Sequence, residues 1–117
     1  MPFRFRVEGV VREQETGTPL AGLRVRAFDH HLVHDDPLGE ACTDAAGRFE
    51  LHFTEVRFTM PFETRPDLYL QVLDPHGERV LYSTRQELRR DAHSEERYEI
   101  AISRETLGAE GAAQRAS

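Results

Sequence analysis

The segment at residues 24–53, RVRAFDHHLVHDDPLGEACTDAAGRFELHF, constrains the fold more than any other part of the chain. Both of its ends alternate. Leu23, Val25 and Ala27 share one face while Arg24 and Arg26 take the other, and Phe49, Leu51 and Phe53 alternate with Arg48, Glu50 and His52. A period of two puts successive side chains on opposite faces of an extended strand, so each end reads as a strand with one buried face. Between them the sequence predicts a shorter strand over residues 38–43 and a turn at Asp44-Ala45-Ala46-Gly47. Asp at the first position and Gly at the last suit a type I turn or a bulged hairpin. His52 then faces solvent. Cys42, alone in the chain, reads as a small core-facing residue.

The same grammar recurs on either side. Residues 2–12 alternate Phe3, Phe5 and Val7 with Arg4, Arg6 and Glu8, and Thr16-Gly17-Thr18-Pro19 forms a turn before a strand at 22–31. Residues 54–66, with Phe58, Met60 and Phe62, read as a short strand or as an apolar flap closing the core. Residues 68–73 and 79–83 flank Asp74-Pro75-His76-Gly77 as a hairpin. The charged stretch 84–95 holds one helical turn at most, anchored by Leu88, and residues 97–103 form the last strand with Tyr98, Ile100 and Ile102 on one face. About seven short strands and no long helix predict an all-β fold, a two-sheet antiparallel β-sandwich. One domain is expected over residues 1–104, with 105–117 as a flexible tail.

Composition narrows the class of function. At 117 residues, 38% hydrophobic and 31% charged, the chain fits one modest core. The net charge of −6 argues against nucleic acid as partner. No apolar run approaches the roughly 20 residues of a membrane span, and the N-terminus reads as a strand rather than a leader, so a soluble, cytoplasmic protein is expected. A single cysteine precludes an internal disulfide and a multi-cysteine zinc site.

The string VEGVV…ETGTPLAGLRVRAF…TDAAGRFEL resembles the transthyretin-like, carboxypeptidase regulatory-like group of β-sandwich domains, also known as the prealbumin-like fold. The matching positions are Gly9, Val11, Thr16, Gly17, Pro19, Leu20, Gly22, Val25, Ala27, Thr43, Asp44, Gly47 and Phe49. These are turn and core residues, so the resemblance implies a scaffold rather than an activity. The 5-hydroxyisourate hydrolases of that superfamily carry an early His and a C-terminal Tyr-Arg-Gly-Ser signature. Here the first histidine is His30 and the chain ends GAAQRAS, which departs from both. The related sandwich of the intradiol dioxygenases uses a Tyr/His iron site whose ligands have no counterpart assigned in this sequence.

The candidate site is the loop after the second strand, where Asp29, His30, His31, His34, Asp35 and Asp36 crowd together. Asp29 and His31 share the parity of core-facing Val25 and Ala27. Asp35 and Asp36 can turn back toward them, and Asp67 reaches the same end if its strand pairs antiparallel with the second. Asp29, His31, Asp35, Asp36 and Asp67 are thus the expected metal ligands, with oxygen donors suiting Ca²⁺ and His31 shifting the chemistry toward Zn²⁺ or Fe²⁺. The competing reading is that Asp35-Asp36-Pro37 starts a turn with the histidines solvated. No catalytic constellation stands out. The expected function is therefore a non-enzymatic binding or accessory module that docks a protein partner or its own copy through a sheet face or edge. A metal-binding domain is the alternative, and a metal-dependent enzyme the third reading.

Overall fold

Each alternating segment becomes a strand. The computed structural model describes residues 4–31, 33–54 and 65–108. In chain order the strands are β1 (Arg4–Glu13), β2 (Arg24–Asp29), β3 (Asp36–Cys42), β4 (Arg48–Thr54), β5 (Leu68–Leu73), β6 (Val80–Ser83) and β7 (Glu95–Ile102). They form two sheets, ordered β4-β1-β7 and β3-β2-β5-β6. The fold is an all-β sandwich. One pairing departs from the antiparallel expectation: β1 is antiparallel to β4 but parallel to β7.

The inward faces meet as one core. Phe5, Val7 and Val11 of β1, Phe49, Leu51 and Phe53 of β4, and Tyr98, Ile100 and Ile102 of β7 pack against Val25, Ala27, Leu68, Leu70, Val72 and Leu81. Each large apolar side chain contributes about 1.5–3 kcal/mol on burial. Phe5 and Phe53, cross-strand partners, stack with ring centroids 5.1 Å apart. The inward position between Val7 and Val11 is Gly9, because the Phe49 ring fills its place: a Cβ there would lie 2.8 Å from that ring and collide with the Tyr98 carbonyl.

The predicted hairpin turn forms as its residues dictate. The Asp44 carboxylate accepts the N–H groups of Ala46 and Arg48, both at 2.9 Å, and Gly47 takes φ 74°. A side chain on Gly47 would also meet the backbone of Val11 and Leu20.

Three expectations change. Cys42 is exposed, not core-facing. The pairing of β2 with β3 slips between Ala27 and Phe28, which sit opposite Gly39 and Pro37, so Leu38 is an extra residue in β3. One inserted residue flips alternation, and Leu38 points inward while Cys42, opposite Arg24, points out. In the connection after β6, a 3₁₀ turn spans Arg85–Glu87, and the buried anchor is Ala92 at 1% exposure rather than half-buried Leu88. The expected tail does not begin at residue 105. Residues 104–108 are helical, Leu107 is fully buried in the core, and Arg79 donates to the carbonyls of Thr106 and Leu107. The flap expected around Phe58, Met60 and Phe62 lies outside the described residues.

Candidate functional site: a carboxylate–imidazole cluster

β2 ends at Asp29, which pairs with Leu68 of β5 on one side and Asp36 of β3 on the other. Strand parity carries the Asp29 side chain inward, and it is fully buried at the end of the core. Its Oδ1 accepts the Asp67 N–H at 2.9 Å, and the Asp67 carbonyl accepts the His30 N–H at 2.9 Å. The Asp67 backbone donor, itself fixed by the His30 bond, thus helps hold a buried carboxylate that would otherwise cost several kcal/mol.

From Asp29 a chain of close carboxylate–imidazole contacts runs outward. His31 Nε2 lies 3.2 Å from Asp29 Oδ2 and 3.1 Å from Asp36 Oδ2, and His34 Nε2 lies 3.1 Å from Asp36 Oδ1. Exposure rises along it, with the His34 side chain 71% exposed. Asp35, adjacent in sequence, belongs to a second group. It accepts from His30 Nδ1 at 2.9 Å, from the His31 N–H at 3.2 Å and from the Tyr69 hydroxyl at 2.5 Å, with the Arg85 guanidinium 3.7 Å away. Burial works to raise the Asp35 carboxyl, but bonds from Tyr69, His30 and the His31 backbone outweigh it and hold the group below its ordinary range. The Tyr69 phenol moves the opposite way, to about 12, through burial first and the Asp35 bond second. Phe28 stacks on the Tyr69 ring at 5.1 Å, its register partner across β2 and β5.

The five residues expected to share a metal are therefore divided. Asp29, His31 and Asp36 come together. Asp35 turns to Tyr69 and His30. Asp67 reaches the same end, as antiparallel pairing of β2 and β5 requires, but with its backbone; its carboxylate accepts the Asp91 N–H at 3.1 Å and lies 3.7 Å from Arg90. Among the described residues, no group of three or more His, Cys, Asp or Glu side chains stands in the geometry of a bound ion. Sequence reasoning missed Tyr69 and Arg85. Tyr69 was within reach through its register with Phe28, whereas Arg85 arrives through the 3₁₀ turn, which carries no motif.

Chemically the cluster offers carboxylate oxygens and imidazole nitrogens at one end of the sandwich. Cys42 lies at the other end of β3, opposite Arg24, and is not beside these bases.

No family model matches the chain, and no curated protein matches it. Solved structures share its architecture. A 9R-lipoxygenase from Cyanothece superposes with a TM-score of 0.64 at 20% identity, covering 86% of this chain and 16% of that one. A chlorocatechol 1,2-dioxygenase from Pseudomonas putida superposes with a TM-score of 0.53 at 16% identity, covering 88% of this chain and 61% of that one. The chain thus spans less than two thirds of either structure. What these likenesses establish is the sandwich fold.

Proposed function

We propose that the chain is a non-catalytic accessory module of the transthyretin-like kind that docks a protein, in the simplest case a second copy of itself, along the free edge of β6. The observation that carries this reading is the chemistry of that edge. Among the described residues β6 pairs with β5 alone, and it exposes Val80 and Tyr82 at 49% and 39%. The other edge of comparable freedom, β7, carries Glu95, Arg97 and Glu99 on its outer face, the charges that discourage strand addition. An accessory role also accords with the lipoxygenase likeness, where a similar sandwich occupies 16% of a larger chain. Sedimentation over a concentration series, with amide exchange of β6, tests it. A concentration-dependent dimer with newly protected β6 amides, lost in Val80→Lys/Tyr82→Lys, is expected. A monomer throughout with unchanged β6 exchange overturns the self-docking form.

A second reading is favoured by the way His31 Nε2 lies between Asp29 and Asp36. A divalent ion with imidazole affinity, Zn²⁺ or Fe²⁺ before Ca²⁺, would use Asp29, His31, His34 and Asp36. At a hundredfold excess over its dissociation constant such an ion would stabilise the fold by about 2.7 kcal/mol, a Tm rise of roughly 10 °C or more. Melts of chelator-stripped protein decide this reading: no rise with any of the three ions removes it.

A further inference from the structure

The three-stranded sheet turns its outer face to a cavity of about 690 Å³, and its arginines set it apart from the rest of the surface. Among its lining residues is Val10, an outward residue of β1 that is nonetheless 7% exposed. Register places Arg48 of β4 directly beside Val10, Arg12 two residues further along β1, and Arg97 of β7 beside Glu8. All three residues line the cavity.

The carboxylates at this site are already engaged. Glu50 and Glu8 hold Arg6, at 2.6 and 2.8 Å. Asp44 accepts the Ala46 and Arg48 backbone N–H groups of the hairpin turn. Elsewhere Arg24, Arg26, Arg85, Arg89, Arg90 and Arg104 each stand within 4 Å of a carboxylate. Arg12, Arg48 and Arg97 form no ion pair among the described residues. In a chain of net charge −6, three arginines around one cavity that form no ion pair among the described residues concentrate unneutralised positive charge there.

We propose that this cavity binds a small oxyanion, a ligand presenting a carboxylate or phosphate group to Arg12, Arg48 and Arg97 with its apolar part over Val10. Guanidinium forks match both groups through paired N–H donors, and Val10 adds apolar contact area that a free ion would not use. The site is separate from the β6 edge and from the histidine cluster, so it stands or falls independently of both.

Calorimetry with inorganic phosphate and with succinate, each against sodium chloride at matched ionic strength, tests the proposal. Saturable binding of either is expected, weakening about tenfold in Arg48→Gln and in Arg97→Gln and unchanged in Arg90→Gln. Phosphate binding with succinate silent assigns a phosphate ligand, and the converse assigns a carboxylate. Cys42 lines the same cavity and is exposed, which supplies a second readout. Its alkylation by iodoacetamide should slow when the bound anion saturates and recover in Arg48→Gln. Binding of neither anion at millimolar concentration, or binding that survives both substitutions, overturns the proposal.

Discussion

Two charged regions lie on different sheets of this sandwich, and they treat charge differently. At the β2–β3 end, each acidic and imidazole group meets a partner from the chain itself: Asp29 the Asp67 amide, His31 two carboxylates, Asp35 a tyrosine and an imidazole. On the outer face of β4-β1-β7, Arg6 is answered by Glu8 and Glu50 while Arg12, Arg48 and Arg97 are left facing a cavity. Burial accounts for the difference. A charge taken out of water must be paired within the fold, whereas an exposed guanidinium is hydrated and needs no internal partner. The first region is therefore tied together within the fold, while the second faces solvent.

That contrast is most exposed to Asp29→Ala. Removing a fully buried carboxylate takes the acceptor from the Asp67 amide and one of its carboxylate neighbours from His31, so unfolding should become easier by about 3 kcal/mol. A urea melt reads it, and a loss under half that size would mean the cluster is not structural.

Tyr69→Phe probes the neighbouring group more gently. It keeps the stack on Phe28 but deletes the bond to an ionised Asp35, for a loss of about 1.5 kcal/mol.

The same pair sets a pH signature at both extremes. Asp35 titrates below its ordinary value in the fold, so its contribution is complete above about pH 4 and disappears as pH falls through the lowered pKa. Tyr69 titrates at about 12 rather than 10.0, so its contribution is complete below the ordinary value and is lost as pH rises toward 12. Phenolate absorbance should show Tyr69 ionising late, and Asp35→Asn should bring that titration down by removing the negative charge that opposes it.

The smallest effect belongs to the cavity. Arg12→Gln, Arg48→Gln and Arg97→Gln should each leave stability within about 0.5 kcal/mol of the parent, because none of these guanidinium groups has an ion pair among the described residues. A Tm that rises on replacing one would show mutual repulsion, sharpening the case for an anion between them.

Local periodicity by itself determined the strands, the Asp44–Gly47 turn and the inward faces, because two-residue alternation and an Asp-to-Gly turn act over a few neighbouring residues. It also placed Asp29 inward and brought Asp67 to the same end, since both follow from parity and antiparallel pairing. Tertiary structure alone decided the rest. The extra residue Leu38 turned Cys42 outward, a slip visible only against the partner strand. The parallel entry of β7 beside β1 brought Arg97, from a distant part of the chain, to the cavity that Arg12 and Arg48 also line. Asp35 and Asp36 are neighbours in sequence but went to different partners, because adjacent side chains leave the backbone in different directions and each meets what the fold has placed there.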